Sequence, residues 1–227
     1  MSREAPPILW NPSAEFRAST NLAAYAGWLR ETGRADVSPD DYEGLWRWSV
    51  GDLDAFWRSI WDRFGVLADG SPEPVLGSRD MPGADWFPNA RLNHAEHVFR
   101  DALDDRVAIV EAGELRATRE ITWGELRELT ARVAAALRAH GVGEGDRVAA
   151  YLPNIAETLA AFFATASLGA VWSSCSPDFG ARTVIDRFAQ IEPKVLLAVD
   201  GYRYSGRDFD KLDVVAELEA AMPSVEH

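Results

Sequence analysis

Between Ile121 and Gly180 the sequence changes period repeatedly, from helix to buried strand and back, and few architectures accept that alternation. Thr122 and Glu125 have the spacing of a capping box, in which each side chain satisfies a backbone N–H that a helix start leaves without a partner. Leu126, Leu129, Val133 and Leu137 follow at helical intervals and so line one face. Gly141 stands where a left-handed C-cap is wanted. Residues 146–152 form a short apolar run closed by Pro153, which predicts a buried strand. Residues 155–168 are apolar almost all round and predict a buried helix ended at Gly169, with the next strand at 170–174. Helix, strand, helix and strand joined by short Gly and Pro links predict an α/β fold with parallel strands.

Size and charge narrow the function classes. A chain of 227 residues holds one or two domains. No apolar run reaches the length that spans a bilayer, so no membrane partner is expected. The opening MSREAPPILW lacks a basic segment followed by an apolar one, so no signal peptide is expected either. A single cysteine excludes an internal disulfide and fits a reducing, cytoplasmic setting. The net charge of −13 disfavours nucleic acid, whose binding depends on neutralising phosphates. It leaves room for a phosphorylated small molecule held by a few arginines. Nothing in the sequence indicates an oligomeric state.

Residues 1–65 read as a helical segment rich in tryptophan: Trp10, Trp28, Trp46, Trp48, Trp57 and Trp61 all fall in it. Leu22, Tyr25, Ala26 and Leu29 make one stripe, with Thr20 as N-cap and Gly33 past the end. Ser38-Pro39 with Asp41 predicts a second helix start, with proline at the first helical position. Asp52 caps a third helix, whose Leu53, Phe56, Trp57, Ile60, Trp61 and Phe64 make a wide stripe ending at Gly65. Helical spacing accounts for the tryptophans as packing surface rather than as an aromatic floor for a ligand. Residues 66–90, punctuated by Gly and Pro, read as a connecting loop. A helix is predicted over 92–103, then a hairpin of 107–111 with 119–122 turning at Gly113. Further on, a helix is predicted at 181–190, a strand at 195–199, a loop at 201–207, a helix at 212–222, and a turn at 223–225 into another strand.

Several chemistries fail on spacing. Gly141, Gly143 and Gly145 resemble a dinucleotide fingerprint, but that motif follows a strand and opens a helix, and here the order is reversed. His94 and His97 lie three apart on a predicted helix, but no Cys, Asp or Glu completes a convincing ligand set, so no metal site is predicted. Cys175 stands among Ser173, Ser174 and Ser176 with no nearby His to activate it and no GxSxG elbow, and reads as a buried thiol. No catalytic residue is assigned. Arg203 and Arg207 are the candidates for ligand binding. They follow a predicted strand's C-terminal end, where ligands gather in open parallel sheets, in a Gly-containing loop that could hold a phosphate. A solvated basic loop beside Asp208 and Asp210 is the alternative, and spacing alone favours it.

Six runs carry a resemblance: LWNPSAEF, YEGLWRWSVGDLDAFWRSIWDRFG, WFPNARLNHAEHVFR, TWGELRELTARVAAALRAHGVGEGDRVAAYLPN, LGAVWSSCSPDFG and RFAQIEPKVLLAVDGYRYSGR. Through them essentially the whole sequence resembles the N-terminal third of the acetoacetate–CoA ligases, a branch of the adenylate-forming acyl-CoA synthetases. The text at 122–172 fits any acyl-CoA synthetase, whereas the Trp-rich start and SSCSPDFG point to the acetoacetate branch rather than the acetate branch. Asn89 stands where glycine is usual, and His94 and His97 replace the more familiar Tyr and Asn. The resemblance implies a helical N-terminal segment at 1–65, a connecting loop at 66–90, and at 91–227 the first portion of an AMP-binding domain that is incomplete at its C-terminus.

It also implies a two-step reaction. ATP and Mg²⁺ convert acetoacetate to an acyl-adenylate with release of pyrophosphate, and the thiol of CoA then displaces AMP. That places the full-length enzyme in cytoplasmic lipid and fatty acid metabolism. Arg203 and Arg207 match, with one extra residue between them, a basic loop that in the related acetyl-CoA synthetases contacts the 3′-phosphate end of CoA. Residues 172–179 lie near the acyl and pantetheine side in the family. The chemistry requires a Gly/Ser/Thr-rich loop followed by lysine to cradle phosphates. Yet Lys194 follows Glu192-Pro193 and Lys211 follows Asp208-Phe209-Asp210. The sequence is therefore expected to be a fragment that binds neither ATP nor CoA tightly and has no ligase activity alone. Two alternatives stand beside this reading: a ligase for another short acyl group, and a non-catalytic module that binds CoA or a partner protein.

Overall fold

The computed structural model describes residues 9–227, so residues 1–8 of the expected helical segment, with the reading of its opening, lie outside the described residues. The chain forms two compact units that divide between Arg91 and Leu92. In the first, the helices are α1 (Ala14–Ala18), α2 (Asn21–Glu31), α3 (Tyr42–Gly51) and α4 (Leu53–Phe64). Ser13, Thr20, Asp41 and Asp52 cap them, each side chain accepting a first-turn amide. The cap of α3 is Asp41 rather than Ser38, and Pro39 lies ahead of the helix. The Asp41 carboxylate accepts from the Gly44 amide at 2.8 Å, and an anion suits a helix N-terminus better than a hydroxyl does. Tyr25, Leu29, Val37 and Leu45 are buried together, with Trp28, Trp48, Phe56 and Ile60 against them.

Residues 66–91 are more ordered than a plain loop. They carry β1 (Asp69–Gly70), β2 (Leu76–Ser78), β3 (Asp85–Trp86) and β4 (Ala90–Arg91), paired β1 with β4 and β2 with β3, all antiparallel. The segment returns onto the stripe of α4: Trp57 meets Trp86 edge-on at 5.5 Å between centroids, and Trp61 meets Phe87 at 4.6 Å. Tryptophans spaced for a helix face thus find their partners in the segment that follows.

The second unit begins with α5 (His94–Phe99), shorter than its apolar spacing predicts, since Leu103 is exposed. The hairpin β5 (Val107–Glu111) and β6 (Arg119–Thr122) follows, then α6 (Trp123–Ala139), begun by the complete Thr122–Glu125 capping box. Next come β7 (Arg147–Tyr151), α7 (Ala156–Ser167), β8 (Val171–Cys175), α8 (Ala181–Phe188) and β9 (Val195–Ala198). The chain continues with β10 (Gly201–Tyr204), β11 (Arg207–Asp210) and α9 (Leu212–Ala221). β8, β7 and β9 form one parallel sheet in that order. Residues 223–225 turn, and Glu226 and His227 then hydrogen-bond to the edge of β9 at 2.9 and 3.0 Å.

The central strand is buried on both faces. Val148 packs with Ala134, Leu137 and Ala164 of α6 and α7. Ala149 and Tyr151 pack with Val184, Phe188, Leu218 and Met222 on the α8 and α9 side. Cover on both faces explains why residues 148–152 read as an unbroken apolar run. Among the described residues no helix is long and apolar enough to cross a membrane. Cys175 is buried in the same cluster, and the His94 ring lies against Phe162 and Phe163, a packing role.

Tyr151 ends β7, and its phenol lies 2.7 Å from the Pro177 carbonyl and 2.8 Å from that of Phe179, which fastens the loop after β8. Burial pushes its pKa up. The folded state therefore keeps a proton that the unfolded chain loses near pH ~10, and stability falls as pH rises through that range. Tyr151→Phe should cost about 1–3 kcal/mol in urea denaturation at neutral pH. It should also flatten part of the alkaline decline, leaving the part due to Tyr25, whose pKa burial raises too. An unchanged urea midpoint with an unchanged alkaline slope contradicts this role.

Candidate functional site

β7 and β9 run side by side and in parallel, so their carboxyl ends open on one edge of the sheet. Pro153, Asn154 and Ile155 follow β7, and Val199 and Asp200 follow β9. Together with Tyr202 and Arg203, and with residues 111–116 of the β5–β6 turn opposite, they line a cleft of about 310 Å³. β7 lies in the middle, with β8 on one side and β9 on the other, so the chain reverses its winding direction at this point. Ligands of open α/β sheets sit outside the strand ends where that reversal occurs.

The segment expected to be a loop at 201–207 is a hairpin. β10 and β11 pair in the register Gly201–Asp210, Tyr202–Phe209, Arg203–Asp208 and Tyr204–Arg207. The two-residue turn is Ser205-Gly206, with φ of 52° and 73°, the doubly left-handed turn that matches the twist of antiparallel strands. Strand alternation sets Arg203 and Asp208 on one face and Tyr204 and Arg207 on the other. The two candidate arginines therefore share a hairpin but not a face.

Arg203 lines the cleft and is held side-on by Asp208, with Nε donating to Oδ1 at 2.6 Å and Nη2 to Oδ2 at 2.7 Å. That pair raises the Arg203 pKa and lowers that of Asp208. The side-on grip leaves Nη1 outside the pair. Among the described residues no carboxylate forms an ion pair with Arg207.

Three carboxylates of the site were not singled out by the sequence. Glu114, in the β5–β6 turn, accepts from the Ser205 amide through Oε1 and from the Gly206 amide through Oε2, both at 2.7 Å. Glu111 is only 8% exposed. It accepts from Arg119 Nε at 2.8 Å and Arg116 Nη1 at 3.4 Å. Glu157, in the first turn of α7, accepts from the same Arg116 at 3.2 Å and lies 3.5 Å from Arg119. Burial opposes its ionisation, but its own backbone amide and the two arginines outweigh that and lower its pKa. This network ties the β5–β6 hairpin to the start of α7, with Glu111 and Arg116 lining the cleft.

Both lysines are engaged in contacts of their own. Lys194 Nζ donates to the Gly141 carbonyl at 2.7 Å, and Lys211 lies over the Tyr202 ring at 5.5 Å. Among the described residues no group of three or more His, Cys, Asp or Glu side chains is placed to hold a metal.

Residues 96–227 match the family model described as AMP-binding enzyme, and residues 42–98 that of the acetyl-coenzyme A synthetase N-terminus. An acetoacetyl-coenzyme A synthetase of Rhizobium meliloti (strain 1021) is 41% identical over 225 residues, covering 99% of this chain and 33% of that protein. A malonamoyl-CoA synthetase of Penicillium aethiopicum is 34% identical over 226 residues, covering 96% of this chain and 31% of its own length. The solved acetoacetyl-CoA synthetase from Streptomyces lividans superimposes with a TM-score of 0.92 at 46% identity, covering 97% of this chain and 34% of that one. The chain thus spans about a third of the length of the relatives it matches.

Removing Glu111 leaves Arg116 and Arg119 with Glu157 as the carboxylate they share. Glu111→Ala should lower stability by about 1–3 kcal/mol in urea, with Glu111→Gln in between. An unchanged midpoint for both contradicts the role given to this carboxylate.

Proposed function

The chain belongs to the family of AMP-binding enzymes, and from that membership we propose that the protein is a cytoplasmic acid–thiol ligase that joins acetoacetate to CoA at the expense of ATP. A carboxylate is a poor electrophile at neutral pH. Attack of the carboxylate oxygen on the α-phosphorus of ATP breaks the bond to the β-phosphate, giving an acyl-adenylate and releasing pyrophosphate. Attack by the CoA thiol on that acyl carbon then forms the thioester and releases AMP. What supports acetoacetate as the acid is the likeness to acetoacetyl-CoA synthetases from end to end of this chain, in sequence and in backbone. A second reading, a ligase for another short acyl group, is favoured by the likeness to a malonamoyl-CoA synthetase.

On this reading the cleft at the ends of β7 and β9 belongs to CoA. The chain carries a net charge of −13, so a polyanion is repelled unless cations are concentrated where it lands. Arg203 supplies such a charge at the cleft, with Asp208 fixing the plane of its guanidinium and Nη1 left to meet the 3′-phosphate of CoA. Arg207, on the opposite face of the hairpin and without an ion-pair partner among the described residues, is not among the residues that line the cleft. The phosphates of ATP need a cradle of backbone amides and a lysine. Lys194 and Lys211 are held in contacts that do not provide one, so the adenylation step is assigned to none of the described residues. The 227 residues are accordingly proposed to bind and orient rather than to activate.

The natural protein, given ATP, CoA and a panel of short acids, should form acetoacetyl-CoA with one AMP per thioester and with acetoacetate preferred. ADP as product, or no thioester from any acid, contradicts the ligase reading; preference for a different acid favours the second one. Arg203→Glu should raise the KM for CoA about tenfold or more, because a charge-assisted contact becomes a repulsion. An unchanged KM for CoA removes Arg203 from the CoA site.

A further inference from the structure

We propose that Glu114 is a positioning residue of the hairpin that presents Arg203: its carboxylate, gripped by the two amides of the Ser205-Gly206 turn, latches the β5–β6 turn to the β10–β11 hairpin across the mouth of the cleft. This inference rests on the reading of the cleft as a CoA site.

The hairpin cannot hold itself. A two-stranded ribbon is marginal in water, and every residue of β11 is exposed. Its internal support is the stack of Tyr202 on Phe209, with centroids 5.0 Å apart, and the Arg203–Asp208 pair. Both move with the ribbon and neither fixes where it points. Glu114 does, because it comes from a different hairpin 91 residues earlier. The geometry of the grip is specific. Successive left-handed residues turn their amides to one side, which makes a concavity for an anion, and the two carboxylate oxygens each take one amide. Among the described residues these are the hydrogen bonds that join the two hairpins.

The consequence for Arg203 is geometric. Asp208 fixes its guanidinium relative to the ribbon, and Glu114 fixes the ribbon relative to the 111–116 wall. The cleft lies between those two walls, so Glu114 helps to set its width on this side and the direction from which Arg203 approaches a ligand, while the Lys211 amide, donating to the Asp200 carbonyl at 2.7 Å, ties the base of the hairpin. Glu114 itself need not touch the ligand.

The test uses the natural protein, with the KM for CoA and for 3′-dephospho-CoA measured in Glu114→Ala, Glu114→Gln and Arg203→Ala. Glu114→Ala should raise the KM for CoA about three- to tenfold. Glu114→Gln, which keeps one acceptor oxygen for one of the two amides, should fall between it and the parent. For 3′-dephospho-CoA, which has no phosphate for a displaced Arg203 to miss, the rise in Glu114→Ala should stay below about twofold. An unchanged KM for CoA overturns the inference. So does a lowered one, which would make Glu114 a competitor of the phosphate, and so does an equal rise for both thiols, which would make it a general support of the fold. Arg203→Ala separates the two levels. If it too leaves the KM for CoA unchanged, the CoA reading itself fails. If it raises that KM while Glu114→Ala does not, only the latch fails.

Discussion

The burial of β7 on both faces is the constraint from which the rest of the second unit follows. A strand with Val148 under α6 and α7 and with Ala149 and Tyr151 under α8 and α9 has no face left for water. Its neighbours β8 and β9 pair with it in parallel, and each return runs through a helix on one face or the other. The loops that leave the strand ends are then the places where polar groups can gather without disturbing the core.

Those loops are organised by carboxylates rather than by further apolar packing. Glu111 collects Arg116 and Arg119, Asp208 orients Arg203, and Glu114 reaches two backbone amides. In a chain with so many acids, the surplus charge at this edge is spent on fixing donors. The arginines are left aimed, with part of their hydrogen-bonding capacity outside the internal pairs. On the proposed CoA reading, Arg203 is held in place before the ligand arrives, so that little ordering of this side chain remains to be done on binding.

How legible this was from sequence depended on the range of the interactions. The capping box at Thr122, the Asp52 cap with Gly65 at the other end of α4, and the apolar run of β7 are local signals, and the elements stand where those signals put them. The α3 start was ambiguous because Ser38 and Asp41 both have capping side chains; residues 38–41 close a turn, with the Asp41 amide donating to the Ser38 carbonyl at 2.9 Å, and the helix begins after it. The β10–β11 hairpin was hidden. Its turn is Ser-Gly rather than the stronger Asn-Gly or Asp-Gly, and β11 offers no apolar face to mark it as a strand. Arg203 and Arg207 were visible as candidates, but their separation onto two faces follows from the strand alternation that the loop reading missed. Glu111 stands opposite Arg119 in the β5–β6 hairpin, so that pair follows from the hairpin's register, whereas Glu114 left no trace because its partners are brought near only by the chain's return after β9.

Amide hydrogen exchange of the natural protein with and without saturating CoA tests the central claim most directly, since it asks where the ligand sits without presupposing which side chain holds it. The account predicts CoA-dependent protection concentrated in residues 111–116 and 199–207, the two walls of the cleft at the ends of β7 and β9. Protection confined to other segments, with these two unchanged, would contradict it.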